Sequence, residues 1–446
     1  MHLIPFLIYW RAASLSLLFL LMYQNGQAQK TWAEYDKETY QLFVDKKWDE
    51  LLETSEEAIA QGHDYLNMRL RRGLAYNSLN KNLLAQEEFI KALKFDAANP
   101  IAIEAMTLIN TLNGDLHNQL LLNKKLTAEQ KIKLKVRDPF FIQIGADAGF
   151  QYYQPANAMG GPPTSEFNET KNMTLGSFNV THKLVSGFTL AHTLGGFAIQ
   201  KNQFVQFNAP AQSSTLTYKQ SQLEYHALIV GKLSPHFMLT IGGHYINLTN
   251  GQNLINFNSR PPSITENSQK TNNYATQLGF IYNKKKIVMG VYGALSNLNA
   301  VKYQQVGALF TYFPLGNKNL YLNGSASVLI QAATTTAASS TNSIYQLGVG
   351  GKLASYTWLD LQGYYGKHQN FLEPLTPVIF NIADQIDWRI KLGLTQHFSK
   401  FSLRLGYQLN KRANNFVVYT PTTSFIDSKV FNNFSHLTTI GITCNL

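Results

Sequence analysis

Ionisable side chains recur at alternate positions in the C-terminal part of this 446-residue chain, with apolar residues between them. Alternate positions of a β-strand share one face, so these groups would line a single surface. If that surface faces a channel lumen, they form either a selectivity or substrate-contact region or an ion-pair network that stiffens the wall. Both interpretations stay open for Asp360, Asp387, Arg389, Lys391, Arg404, Lys352, Glu224, His226 and His244. The first five lie on three successive predicted strands, so we expect their side chains to meet.

A hydrolase is the main enzymatic alternative. The segment 243–251 weakly resembles the His-x-Ser and Asn-Gly neighbourhood of barrel-type lipid hydrolases, through His244, Asn250 and Gly251. Position 246 is Ile, where that family needs its nucleophile. No metal-ligand spacing, phosphate loop or dinucleotide fingerprint stands out. We therefore predict no enzyme, no catalytic residue, no metal and no cofactor.

The segment 370–380 is too apolar for a loop that only faces water. It could fold into the lumen as a constriction, present a patch to a partner, or extend a strand above the membrane. The residues concerned are Phe371, Leu372, Leu375, Ile379 and Phe380.

From Asp138 onward the apolar residues repeat with period 2, which indicates β-strands. We count about 14 strands, separated by connections that are alternately short and long. An even number of antiparallel strands with this alternation is typical of an outer-membrane β-barrel over residues 138–446. The short turns would face the periplasm, and the long loops would be extracellular.

Composition agrees with a barrel. Charged residues make up 15% of the chain and aromatic residues 12%, while a soluble domain has roughly 25% charged residues. The net charge of +11 lies almost wholly in residues 138–446, which hold 21 Lys and Arg against 11 Asp and Glu. Basic loops facing lipopolysaccharide, or a basic lumen, explain this excess better than nucleic acid does. The single cysteine, Cys444, excludes an internal disulfide framework.

Residues 1–28 have the features of a signal peptide. Arg11 precedes a short apolar run, and the small residues Gly26 and Ala28 suit cleavage before Gln29. An uncleaved anchor is the alternative.

Residues 29–113 read as helical, because apolar residues recur at a spacing of 3.6. Small and aromatic residues that would form a helix–helix seam are Gly73, Tyr76, Ala85, Phe89 and Ala92. Their spacing resembles the tetratricopeptide repeat, with a degenerate copy 34 residues earlier. A generic helical hairpin is the alternative. Residues 114–137 are predicted to be a charged helix and linker.

Repeats followed by a barrel resemble YaiO-type barrels and, more distantly, repeat-plus-barrel exporters of exopolysaccharide. This resemblance implies transport or export across the outer membrane, with the helical module in the periplasm docking a protein partner. The alternatives are an accessory subunit of an envelope secretion or assembly machine with a closed barrel, and, less favoured, a lipid hydrolase.

Overall fold

The computed structural model describes residues 30–155, 165–185, 187–206, 213–256, 263–334, 338–381, 385–419 and 425–446. The predicted signal peptide lies outside these ranges. Helices occupy the N-terminal part of the described chain and strands the remainder.

Seven helices are described, with side-chain caps at several N-termini. Thr31 and Thr127 each form a capping box, and Asn99 caps a helix that has Pro100 at its first position. The helices are α1 (Trp32–Val44), α2 (Trp48–Ala60), α3 (Leu66–Ser78), α4 (Asn82–Phe95), α5 (Pro100–Leu112), α6 (Leu116–Leu122) and α7 (Ala128–Lys133). None of them is long and apolar enough to serve as a membrane-spanning helix.

The predicted seam residues pack together between α3 and α4. Ala85, Phe89 and Ala92 are fully buried, and Tyr76 packs against the same cluster. A Cβ added to Gly73 would lie 2.6 Å from the Phe89 ring, so only glycine lets the two helices approach this closely.

A buried ion-pair network ties α2, α3 and α4 together. The Glu88 carboxylate accepts from Arg69 at 2.6 Å and from Arg72 at 3.2 Å, and all three side chains are at most 5% exposed. Arg69 also bonds to Asp64, and Arg72 to Glu56. Burial alone would raise the pKa of Glu88, but the guanidinium groups of Arg72 and Arg69 outweigh it and hold the pKa below its ordinary value of 4.5.

The strands form a closed antiparallel barrel of 14 strands, which confirms the predicted fold class. Two further strands pair only with each other. In chain order the strands are β1 (Phe141–Tyr153), β2 (Ser165–Val185), β3 (Phe188–Gln206), β4 (Ser213–Lys232), β5 (Phe237–Asn256), β6 (Ser263–Lys284), β7 (Ile287–Leu298), β8 (Val301–Tyr312), β9 (Leu320–Gln331), β10 (Ser340–Ala354), β11 (Thr357–Tyr365), β12 (Phe371–Leu372), β13 (Ile379–Phe380), β14 (Gln385–His397), β15 (Phe401–Tyr419) and β16 (Phe425–Asn445). The barrel closes where β1 pairs with β16, and β12 and β13 are the separate pair.

Every barrel strand exposes at least one large apolar side chain on its outer face. One from each strand, in chain order, gives Phe150, Phe178, Leu194, Leu223, Ile241, Leu278, Val291, Val306, Leu322, Leu347, Leu361, Leu392, Leu405 and Ile440. Exposed tyrosines add aromatic groups to this outer surface, among them Tyr152, Tyr245 and Tyr365. A continuous apolar belt with aromatic residues is the surface that a transmembrane barrel presents to lipid.

Several connections predicted to be long loops are partly strand. The sequence places one of the long loops at 249–271, but β5 continues to Asn256 and β6 begins at Ser263. The first eight residues of β6 are all exposed and mostly polar. Backbone pairing therefore extends these strands without the one-sided apolar pattern by which strands are recognised in a sequence.

The helices pack on one rim of the barrel, which we call the helix-side rim; the opposite one is the far rim. The Leu83 N–H donates to the Gly316 carbonyl at 2.9 Å, and His117 Nε2 lies 3.0 Å from Thr189 Oγ1. Leu121 presses against Gly187, whose φ of +81° and close neighbour both favour glycine. The predicted helix and linker 114–137 thus contains α6 and α7, and α6 contacts the rim.

Candidate functional site

A hairpin lies inside the barrel lumen and reaches from one wall to the other. We define this lumen hairpin as residues 366–381, which follow β11 and contain β12 and β13. Phe371 and Leu372 are each 2% exposed, and Leu372 packs in a cluster with Ile246 and Leu329 from the wall. The structure therefore places the apolar segment 370–380 within the lumen.

On one side the hairpin is bound by side chains of β4, β6 and β8. Gln305 donates to the Leu372 carbonyl at 2.8 Å and accepts from the Leu372 N–H at 3.2 Å, so its amide imitates a strand partner. Gln277 accepts from the Leu375 N–H at 3.1 Å. Two asparagine side chains of the hairpin also bond to the wall on this side. Asn370 donates to the Tyr303 hydroxyl, and Asn381 donates to the Gln222 side chain.

On the other side an ion pair connects the hairpin to β14. Arg389 Nη2 lies 3.4 Å from Glu373 Oε2, and the Arg389 side chain is 2% exposed. The Tyr364 hydroxyl donates to the same carboxylate at 2.9 Å. The guanidinium lies 3.6 Å from the Tyr364 ring centre and 4.5 Å from that of Phe380. Arg389 is thus held by one carboxylate and two aromatic faces, an arrangement that suits a desolvated guanidinium.

The five ionisable residues expected to meet do not form one network. Arg404 pairs with Asp147 of β1 at 2.7 Å, and Asp360 accepts from the Tyr321 hydroxyl. Arg389 pairs with Glu373. The five side chains therefore do not meet as one group: the partners of Arg404, Asp360 and Arg389 lie on β1, on β9 and in the hairpin.

Asp387 departs most from the predicted pattern. The pairing of β14 with β15 shifts between Ile386 and Trp388, and this bulge takes Asp387 out of the regular alternation. Its carboxylate accepts from Gln385 at 2.6 Å, and Ile386 is the buried side chain at this level. Lys391 faces a cavity beside the hairpin, and the Lys352 ammonium lies 5.4 Å from the Trp358 ring centre.

The structure brings Glu224, His226 and His244 together on the inner face of β4 and β5. His244 Nδ1 lies 2.6 Å from Glu224 Oε1, and the rings of His226 and His244 are 4.1 Å apart. Both histidines are at most 4% exposed, on the lumen side and not at the lipid-facing surface. Within the described ranges, no three His, Cys, Asp or Glu side chains are arranged as metal ligands.

Sequence analysis missed several residues that hold the hairpin. Gln277, Tyr303 and Gln305 lie at inward positions of β6 and β8, where a polar residue alternating with outward apolar ones was a usable signal. Asp147 was visible as the only charged residue of β1. Glu373 lay within the apolar segment, but no sequence pattern pointed to Arg389 as its partner.

The fold has counterparts among solved structures. No family model matches the chain, and no curated protein matches it. It is similar to the toluene transporter TodX of Pseudomonas putida, with a TM-score of 0.46 and 8% identity over 69% of this chain and 91% of that one. It is also similar to a FadL homologue of Pseudomonas aeruginosa, with a TM-score of 0.43 and 9% identity over 68% of this chain and 90% of that one. At these TM-scores the similarity does not indicate a function, and the geometry of the lumen has to do so.

Proposed function

We propose that this chain is an outer-membrane barrel that passes solutes across the membrane and that the lumen hairpin is its gate. The observation that carries this proposal is how the hairpin is held. Its main chain bonds to β14 only at the base, through the N–H groups of Gly366 and His368. Beyond His368, the hydrogen bonds and the ion pair between the described hairpin residues and the wall involve side chains of the wall. Such contacts can break without unpairing a barrel strand.

The hairpin also leaves free space in the lumen. A cavity of about 280 Å³ separates it from the wall formed by β1 to β3 and β14 to β16. Apolar side chains such as Met173, Leu175 and Phe197 line it, together with Arg389 and Lys391. A mostly apolar cavity with a few charged groups is typical of sites that hold a small molecule.

We place the helix-side rim in the periplasm. Both chain ends of the barrel lie at this rim, and its connections are short, such as the two-residue turn between β6 and β7. The longer connections lie at the far rim, which we assign to the extracellular side.

The gate is tested by locking the hairpin to the wall. A Cβ at Gly279 would lie 2.8 Å from Leu375 Cδ2, so we choose Gly279→Cys with Leu375→Cys, in a background in which the single Cys444 is replaced by serine. Solute flux into proteoliposomes is expected to fall severalfold on oxidation and to recover on reduction. The two single-cysteine variants are the matched controls. Equal flux in both redox states of a fully cross-linked sample would show that the hairpin is not the gate.

A second function concerns the helical domain, which we propose binds a periplasmic protein. On α5, Ile101, Leu108 and Leu112 are 53%, 54% and 65% exposed, and their spacing puts them along one stripe. Together with a closed barrel, this would make the chain an accessory subunit of an envelope machine.

Pull-down from mild detergent tests the binding function. The Ile101→Glu/Leu108→Glu variant should lose partners that the wild type recovers, because buried carboxylates would disfavour the interface. Ile132→Glu on α7, where the side chain is 79% exposed, is the matched control. Identical partners from all three proteins would contradict the role given to the stripe.

A further inference from the structure

A second cavity lies between the helical domain and the barrel, at the helix-side end of the lumen. Its volume is about 280 Å³, and its walls come from α4, the loop between α5 and α6, and the rim ends of β4 to β7. We call it the seam cavity. We propose that it binds an anionic amphiphile, a molecule with one apolar chain and a negatively charged head group.

One part of the lining of the seam cavity is apolar. Met238, Ile281 and Val288 are adjacent in the barrel wall and are directed toward the lumen. Ile90 of α4 and Phe313 also line the cavity and add apolar surface. An alkyl chain in contact with these side chains would be removed from water, and each buried CH₂ contributes about 0.8 kcal/mol.

The lining of the seam cavity also carries an excess of positive charge. Four lysines line it, Lys232, Lys284, Lys285 and Lys318, against two carboxylates, Glu87 and Asp115. None of the four lysines forms a salt bridge with a described residue.

The two carboxylates are already engaged. Asp115 caps α6 through the Asn118 N–H and also accepts from Gln86. Glu87 Oε2 lies 3.6 Å from His236 Nε2. Asp115 still attracts Lys232 and Lys318 electrostatically, but two carboxylates cannot balance four lysines, so an excess of positive charge remains.

Two of the lysines are held in place by main-chain carbonyls. Lys232 is 4% exposed and donates to the Pro235 carbonyl at 3.2 Å, while Lys318 donates to the Asn113 carbonyl at 2.5 Å. A carbonyl accepts a hydrogen bond but leaves the charge uncompensated. An anionic head group would supply the missing charge, and a neutral or cationic one would not.

The size of the seam cavity restricts the ligand further. At about 280 Å³ it lies just below the ~300–1,000 Å³ range that is usual for small-molecule sites. A single-chain amphiphile fits this volume, whereas a two-chain phospholipid does not. The cavity lies at the helix-side end of the lumen, so a solute crossing the barrel would pass through it. This role in transport rests on the proposed function, whereas binding of the amphiphile does not.

Photo-crosslinking of the full chain in phosphatidylcholine vesicles tests the site. The probe is dodecyl phosphate with a diazirine on its chain, and the labelled peptides are identified by mass spectrometry. We expect labelling within residues 281–288 and 313–318, displaced by unlabelled dodecyl phosphate. Labelling should fall about tenfold or more in Lys232→Met/Lys318→Met, because the head group loses two charged partners. Lys270→Met/Lys302→Met, at exposed positions near the far-rim ends of β6 and β8, is the matched control and should label like the wild type.

Three outcomes would overturn the proposal. One is equal labelling by the neutral dodecanol analogue, and another is full labelling of Lys232→Met/Lys318→Met. The third is displacement by inorganic phosphate as effective as that by dodecyl phosphate, since the apolar chain would then be unnecessary. If Lys232→Met/Lys318→Met does not fold, Lys284→Met/Lys285→Met at the rim turn replaces it. The cross-linking reports binding without transport, so its failure is distinguishable from failure of the gate, which is measured by flux.

Discussion

Replacing residues 369–381 with a short Gly-Ser linker is expected to raise the single-channel conductance of the reconstituted barrel by about tenfold or more. The hairpin contacts β6 and β8 on one side and β14 on the other, so it obstructs the lumen of a 14-stranded barrel. Recordings in planar bilayers measure the effect directly. The barrel itself should remain intact, because the deletion removes no strand of the closed sheet.

The matched control for this deletion is Arg404→Ala. It breaks the pair with Asp147 in the lumen wall, away from the hairpin, and should leave the conductance close to that of the wild type. If the deletion variant conducts no better than the wild type, the helical domain closes the lumen at the helix-side rim. The gate would then have to be assigned to the seam between the helices and the rim.

The second large effect is expected in the helical domain. Glu88→Gln should destabilise it by about 3–5 kcal/mol, because two buried guanidinium groups lose their shared carboxylate. Thermal melting followed by helical circular dichroism measures the change. Glu50→Gln is the matched control; Glu50 pairs with Lys47 at the surface, and we expect no measurable shift. An unchanged melting curve for Glu88→Gln would show that the network does not stabilise the domain.

The ion pairs of Glu88 also predict that the stability of the helical domain depends on pH. The pKa of Glu88 is held below its ordinary value of 4.5 by Arg72 and Arg69, so the folded state favours the carboxylate. Its contribution to stability is therefore complete above about pH 4.5 and is lost as the pH falls through the lowered pKa. Glu88→Gln should flatten this part of the stability profile, and an acid-induced loss of the same size in both proteins would contradict the assignment.

The fold was predictable in outline because each element has a local signal. Period-2 alternation determines which side chains face lipid. Counting the alternating segments predicts about 14 strands, and the stretches between them predict the order of short and long connections. Where both faces of a strand are mostly polar, as in the first half of β6, the alternation is lost and the sequence predicts a loop instead of a strand. The helical region is recognisable from its periodicity of 3.6 residues. The role of Gly73 in the seam between two helices is recognisable from its spacing to Phe89.

The candidate site was only partly predictable. Glu224, His226 and His244 share one face of adjacent strands, so register alone brings them together. Asp387 was misplaced because a bulge shifts the alternation by one residue, and a bulge has no clear sequence signature here. Pairing between Arg389 and Glu373 depends on where the hairpin folds, which no periodicity determines.

The sequence by itself thus determined which faces of the strands are polar, because alternation is a property of the local backbone. It also marked 370–380 as too apolar for an ordinary loop. Only the tertiary structure decided that this segment crosses the lumen, that Arg404 pairs with Asp147 some 257 positions away, and that the helices close over a basic cavity at the rim. The physical reason is that closing the barrel sets distances between residues remote in the chain, and burial and charge pairing act on those distances.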